Sequence, residues 1–210
     1  VPPITSKRVP RAVREQQMLD AAVSVFGRQG FHAASMDEIA EAAGISKPMV
    51  YAYLGSKEDL FIACLHREAT RLVETVLEAV GSSARPDEQL WNGLRGFFAF
   101  VGAHREGWNV LYRQSRGREP FDSEWTAIRG RMVDIVAGLL ARAVASVGGP
   151  GGPADLEPVS YALVGAAESM ADWLADHPGE DPARTAARLM NVIWLGAEDL
   201  LRGAVWRPSS

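Results

Sequence analysis

The sequence predicts an all-α fold, with an N-terminal three-helix helix-turn-helix unit followed by a larger helical body. Three observations carry this. Helix caps, each a Ser followed three residues on by an acid, punctuate residues 35–59. Apolar residues recur at helical spacing in the stretches that follow, and nothing after residue 60 reads as a strand. Runs of Gly with Ser or Pro at 81–83 and 148–153 separate those stretches.

Residues 35–60, SMDEIAEAAGISKPMVYAYLGSKEDL, are the most informative. Ser35 and Glu38 form a capping box, so a helix begins there, and Met36, Ile39, Ala40 and Ala43 give it one apolar face. Gly44 is free to take the left-handed conformation that ends it. Ser46 is placed to cap the next helix, with Pro48 in the first turn, where a missing N–H costs little. Val50 and Leu54 keep a buried face there, which points Lys47, Met49, Tyr51 and Ala52 outward. Ser56 and Asp59 make a second capping box and start a further helix. Two short helices around a tight turn are a helix-turn-helix, whose second helix is shaped to enter a DNA major groove.

The stretch from about Arg11 to Leu65 resembles the N-terminal DNA-binding domain of the TetR family of bacterial transcriptional regulators. The matching residues are Phe26-Gly27-Arg28-Gln29-Gly30-Phe31 at the end of the first helix, Ile39-Ala40-Glu41-Ala42-Ala43-Gly44-Ile45-Ser46, then Tyr51-Ala52-Tyr53 and Ser56-Lys57-Glu58-Asp59-Leu60. The resemblance covers about the first third of the chain. Beyond it, length and helical character alone agree. Three positions depart from the family pattern. Leu54 stands for the more usual Phe, and Met49 for a Thr or Ser. Asp37 takes a place where some members carry a base-contacting Arg, so it is assigned no DNA role.

The 210 residues suit one or two compact units with a full core. A net charge of −4 runs against DNA binding, but it averages over the molecule. Lys7, Arg8, Arg11 and Arg14 cluster with no acid among them, and a local basic face on an acidic body is enough for phosphate. The single cysteine, Cys64, excludes an internal disulfide and reads as a small buried hydrophobe, with a redox-sensing thiol as the alternative. The scattered histidines show no metal-ligand spacing. No membrane-length apolar run and no signal peptide are visible, so a cytoplasmic protein is expected.

Residues 1–10, rich in Pro and basic side chains, are predicted to be a disordered arm, 11–56 the helix-turn-helix domain, and 57–210 a helical ligand-binding and dimerisation domain. The fourth helix is expected over Lys57–Val80, the fifth from Pro86 to about Gly102, and the sixth over about Glu106–Gln114. The seventh should run from about Asp122 to Val147. GGPGGP reads as a linker, after which Asp155 caps an eighth helix to about Asp176. Asp181-Pro182 starts a ninth that ends near Arg202.

The eighth helix is apolar nearly all round from Val159 to Leu174 and must be covered on more than one side. With the ninth it forms either monomer core or, as the resemblance implies, one half of a four-helix homodimer interface. Gly165 and Gly196 would permit close backbone approach. Glu168 and Asp172, four apart on one face, need solvent or an Arg such as Arg184 or Arg188. The fifth to seventh helices are the candidate effector pocket, through Trp91, Phe98, Trp108, Tyr112, Trp125 and Met132, although such stripes also form ordinary core. Gly93 and Gly96 inside the fifth helix leave room for a ligand or for a neighbouring backbone. Asn109, Tyr112, Gln114 and His104 are candidate polar orienters. Arg113, Arg116 and Arg118 belong to a solvated loop that could also attract an anion.

The reading is a dimeric regulator, a repressor released from a palindromic double-stranded DNA operator by a small hydrophobic or aromatic effector. Lys47, Pro48, Met49 and Tyr51 are assigned to base edges and thymine methyls. Tyr53, the helix-start residues Ser35, Ser46 and Lys57, and Arg11 and Arg14 are assigned to the phosphate backbone. No Ser/His/Asp, Cys/His or paired-carboxylate arrangement and no phosphate-binding glycine loop stands out, so no catalytic residue, cofactor or metal is expected. The rival readings are a regulator without a small-molecule ligand, and a ligand carrier or enzyme on the same fold.

Overall fold

The computed structural model describes residues 10–81, 85–146 and 153–201, with side chains described in the last segment for 156–194. The expected arm at 1–9, the linker residues 148–152 and the side chains of Leu195 and Leu200 lie outside the described residues. The helices are α1 (Arg11–Ala33), α2 (Met36–Ala42), α3 (Lys47–Leu54), α4 (Lys57–Val80), α5 (Pro86–Ala103), α6 (Arg105–Trp108), α7 (Phe121–Ser146), α8 (Pro153–Asp176) and α9 (Pro182–Leu201). No strand is present among the described residues.

Both capping boxes form. Ser35 Oγ accepts from the Glu38 N–H at 3.1 Å, and Glu38 Oε2 accepts from the Ser35 N–H at 3.0 Å. Ser56 and Asp59 repeat the exchange at 3.0 and 2.9 Å. These backbone donors hold both carboxyl pKa values below the ordinary range. Asp181 caps α9 by accepting from the Ala183 N–H at 2.9 Å. Gly44 takes φ 66° between α2 and α3, as a left-handed stop requires.

Three local expectations change. Ser46 has the extended backbone of a cap, but its hydroxyl accepts no capping bond. The eighth helix begins at Pro153, ahead of Asp155, because Pro suits the first turn. The predicted sixth helix is a single α-turn that widens into a π-helical segment at Asn109–Gln114. A π-turn holds an extra residue, and here the consecutive side chains Val110, Leu111 and Tyr112 are all buried.

The two halves share one core. Phe61 of α4 meets Phe26 and Phe31 of α1 edge-on at 5.1 and 5.3 Å, and Phe121 of α7 closes the cluster 4.4 Å from Phe61. A kink at Gly30, with φ 81°, carries the chain of α1 past the ordinary helical path at Phe31. Beside the cluster, burial pushes the Cys64 thiol pKa up to about 12, so it is protonated at neutral pH and reads as packing. Further along α4, the buried Glu68 is held by Arg67 and Arg71, and Arg67 also reaches Asp20 of α1 at 2.8 Å.

The body packs α5 on α4 and on α9, and α7 on α8. Gly96 permits the first contact, since a Cβ there would lie 2.7 Å from the Ala79 Cβ and 3.2 Å from the Thr75 carbonyl. Glu168 and Asp172 are met by Arg129 of α7 and Arg113 of the π-segment, correcting the expectation of solvent, Arg184 or Arg188. Arg188 is instead paired with Glu180 at 3.1 Å. Arg113 also bonds Asp176 at 2.8 Å, so it ties the π-segment and α8 together rather than serving a solvated loop.

Phe61→Ala should remove the ring that joins three helices. A loss of roughly 3–5 kcal/mol is expected, the usual cost of emptying a buried Phe site. It should appear as an earlier single thermal transition, because both halves lose the same neighbour.

Candidate functional site

The predicted reading face is built on α3. Val50 is fully buried and Leu54 packs against the core, which anchors the helix. Lys47, Pro48 and Ala52 are exposed, and Tyr51 is 46 % exposed. Met49 is half-buried under Arg14, whose Nη1 lies 3.6 Å from its sulfur. The Arg11 guanidinium lies 4.9 Å from the Tyr53 ring centre. Arg11 and Arg14 are thus folded onto the α3 side chains they were predicted to accompany.

The helix starts differ in what they leave free. The Ser35 hydroxyl and N–H are both used on Glu38. Ser46 is exposed and its hydroxyl makes no cap bond. Lys57 Nζ lies 3.4 Å from the His32 carbonyl and 4.6 Å from the Phe31 ring centre, so its charge is placed where α1 ends and α4 begins. One contact on this face was missed. Asp37 of α2 pairs with Lys47 Nζ at 2.8 Å and raises the lysine pKa by hydrogen bond and charge. The ten-residue separation across the turn hid this pair, since no helical spacing rule reaches it.

The second site is a cavity of about 370 Å³, within the roughly 300–1,000 Å³ typical of ligand pockets. Trp108, Trp125 and Met132 line it as expected. Trp91, Phe98 and Tyr112 do not. Phe98 is fully buried in the core, and its neighbour Phe97 lines the cavity instead. Tyr112 is sandwiched against Trp108 and Trp125, with Arg116 over its ring at 4.5 Å. Trp91 is half-buried with Arg95 near its face. Helix periodicity assigns residues to a face but not to a side of the packed layer.

The cavity also extends beyond the predicted helices. Leu72, Val76 and Val80 of α4 form one wall, and α8 and α9 contribute Leu163, Val164, Ala167 and Ile193. Along α7 the lining runs from Trp125 to Val144, about 28 Å of helix rise, so the space is long rather than compact. The all-round apolar character of α8 is therefore partly spent on the cavity wall. Gly93 lines the cavity, whereas Gly96 serves the neighbouring backbone.

The predicted orienters lie elsewhere. Asn109 Nδ2 donates to the Gly27 carbonyl of α1 at 3.2 Å, Gln114 abuts Gly30, and His104 packs on Phe100. Asn109 and Gln114 join the π-segment to the helix-turn-helix half. Arg129 and Glu168 are the charged side chains in the lining. Burial holds the Glu168 pKa above the ordinary carboxylate value, with Arg129 pulling it back.

This is a helix-turn-helix unit joined by one long helix to a body with a ligand-sized apolar cavity. Residues 18–64 match the family model for bacterial regulatory proteins of the tetR family, and residues 86–196 match that for the tetracyclin repressor-like C-terminal domain. The chain belongs to the TetR family of bacterial transcriptional regulators.

It is similar to the crystal structure of a TetR-like transcriptional regulator from Rhodococcus sp. RHA1, at 44 % identity and TM-score 0.77, over 91 % of this chain and 99 % of that one. It is 37 % identical over 113 residues to the HTH-type transcriptional activator FasR of Mycolicibacterium smegmatis, covering 54 % of this chain and 52 % of that protein. The chain spans about half the length of the first curated relatives it matches. FadR from Bacillus subtilis, solved in complex with stearoyl-CoA, shares the fold at 19 % identity and TM-score 0.72, over 90 % of this chain and 99 % of that one. No helix among the described residues is long and apolar enough to cross a membrane.

Asp37→Ala should release Lys47 and remove a negative charge from the reading face. Operator affinity is expected to rise by up to about fivefold at low salt, the scale of an exposed ion pair, and the gain should shrink as salt is added. Competition titrations at two ionic strengths measure it.

Proposed function

We propose that this chain is a homodimeric, cytoplasmic DNA-binding regulator, not an enzyme, and that it acts as a repressor released by an elongated hydrophobic ligand. The observation that carries the reading is the apolar cavity, because α4 forms both its wall and the partner of the reading unit. A ligand pressing on Leu72, Val76 and Val80 acts on the helix that begins at Lys57, beside the reader. A ligand against Trp108 and Leu111 acts on the segment that Asn109 ties to α1. Two routes thus lead from one site to the spacing of the readers, and induction needs a coupling of only about 1–3 kcal/mol.

In this reading residues 11–56 are the DNA-binding unit and 57–210 the ligand-binding and dimerisation unit. Lys47, Pro48, Met49 and Tyr51 contact base edges in a palindromic operator. Tyr53, Ser35, Ser46, Lys57, Arg11 and Arg14 contact the phosphate backbone. The cavity's length favours an extended hydrocarbon over a compact aromatic ligand. The stearoyl-CoA complex of the FadR fold relative supports an acyl chain. A second reading, activation from the same site, is favoured by the name of the mycobacterial FasR relative. Ligand-controlled DNA binding is common to both.

The test is to select an operator from random DNA and then titrate long-chain acyl compounds. Lys47→Ala and Tyr51→Ala should relax preference at separate base positions, at about 1–3 kcal/mol for each lost contact. Release should occur over the same concentration range as quenching of Trp108 and Trp125. Binding of the ligand with no change in operator affinity would sink the regulatory reading.

Exposed apolar side chains on α8 and α9 support the dimer. Tyr161 and Trp173 are exposed, and Val192 is 77 % exposed. Ala167 and Val192 line the cavity and are unsuited to probe the interface. Trp173→Glu, on an exposed site away from the cavity, should give monomers in sedimentation and abolish specific operator binding, while wild type remains dimeric at micromolar concentration.

A further inference from the structure

The cavity wall is mostly apolar, with Gln89 of α5 in it, and its charged side chains stand where α7 and α8 face each other. Arg129 Nε donates to both carboxylate oxygens of Glu168, at 3.0 and 3.1 Å, and both residues line the cavity. A buried ion pair is a poor stability device, because apolar residues of the same volume do as well or better. Its presence in an otherwise greasy wall calls for another use. The guanidinium is not saturated by this contact. Its terminal nitrogens Nη1 and Nη2 make no hydrogen bond among the described residues, while its face lies 5.3 Å from the Tyr161 ring centre. Gly165, one turn before Glu168, leaves the guanidinium uncrowded, although it does not itself line the cavity. A Cβ there would meet nothing closer than Arg129 Nη2 at 3.8 Å. Arg116 adds a second positive charge close enough to act on Glu168.

We propose that Arg129, positioned by Glu168, is the polar seat of the cavity and reads the oxygen-bearing end of an acyl chain. The inference rests on the reading that the cavity takes an elongated hydrophobic ligand, and adds to it the chemistry of the head and the direction in which it lies. Carboxylate and acyl carbonyl oxygens are pure acceptors, which the spare N–H groups of a guanidinium suit. Glu168 uses Nε and so fixes the plane of the fork, while the terminal nitrogens make no hydrogen bond to it. Arg129 lies one turn from Trp125, near one end of the lining on α7. The chain would then run from there towards Val136, Leu140 and Val144.

The experiment measures binding of the full-length protein without DNA, by tryptophan fluorescence. The probes share one chain length: dodecanoate, methyl dodecanoate, dodecanol and dodecyltrimethylammonium. Dodecanoate or its ester should bind tightest in wild type. Equal binding of the two would mean that the acyl carbonyl is read, and preference for the acid that the carboxylate is. Arg129→Gln should weaken the preferred ligand by about tenfold to a hundredfold, the scale of a charge-assisted hydrogen bond, and leave dodecanol within about twofold. If Arg129→Gln fails to fold, Arg129→Lys keeps a positive charge opposite Glu168 but lacks the terminal fork, and should cause a head-selective loss in the same direction.

An equal loss for every probe would mean that the pair only holds α7 to α8, and would overturn the proposal. Tightest binding of dodecyltrimethylammonium would overturn it in favour of Glu168 as the reader. Binding of all probes without head preference would overturn it while leaving the hydrophobic cavity reading intact. Binding of none would overturn both.

Discussion

The twenty-four residues of α4 must bury two apolar surfaces at once, and the remaining helices are arranged to let them. Near its start, Leu60, Phe61 and Leu65 are covered by α1 and α7. Near its end, Leu72, Val76 and Val80 are covered by α5 on one side and left facing the cavity on the other. The helix is about 36 Å long, so these surfaces lie at opposite ends of a stiff rod. The reading unit cannot detach without exposing the Phe61 cluster. The body cannot close over the cavity without moving the rod. In the proposed reading, this shared burial would couple the two sites without a separate device.

The second constraint is the cavity itself. Side chains around a void lack partners on one side and forfeit dispersion contacts. The surrounding helices must therefore be held by something other than mutual contact across the space. An ion-pair bridge outside the lining does this: Arg113 joins the π-segment to Asp172 and Asp176 of α8. The widened turn at Asn109–Gln114 has a related role. It buries Leu111 and Trp108 towards the cavity while Asn109 reaches the opposite way, to α1.

Charge is distributed with the same economy. The chain carries a net −4, and the exposed Lys47 on α3 is neutralised by Asp37 in the free protein. The departure from the family pattern at position 37 therefore acts through its partner. An acid that would repel phosphate is instead spent on holding the adjacent lysine, which moderates the basic face without removing it.

The helix-turn-helix half was legible in the sequence because its signals are local. A capping box, a left-handed glycine and a proline in a first turn are decided by residues three or four apart, and Ser35, Gly44, Ser56 and Asp181 all behave as those rules require. Helix identities in the body were equally legible from periodicity and from Gly- and Pro-rich breaks. Which side chains line the cavity was not. Phe97 and Phe98 are adjacent in the chain and chemically identical, yet one faces the void and the other the core. The choice depends on how α5 is rotated against α4, which Gly96 sets through a contact with Ala79. Arg129 and Glu168 are likewise 39 residues apart and meet only because α7 packs on α8. Sequence alone determined the helices, their caps and the outward face of the reader, because those depend on short-range hydrogen bonds and on the period of one helix. Tertiary structure decided the cavity, its ion pair and its link to the reader, because those depend on the relative rotation of helices distant in the chain.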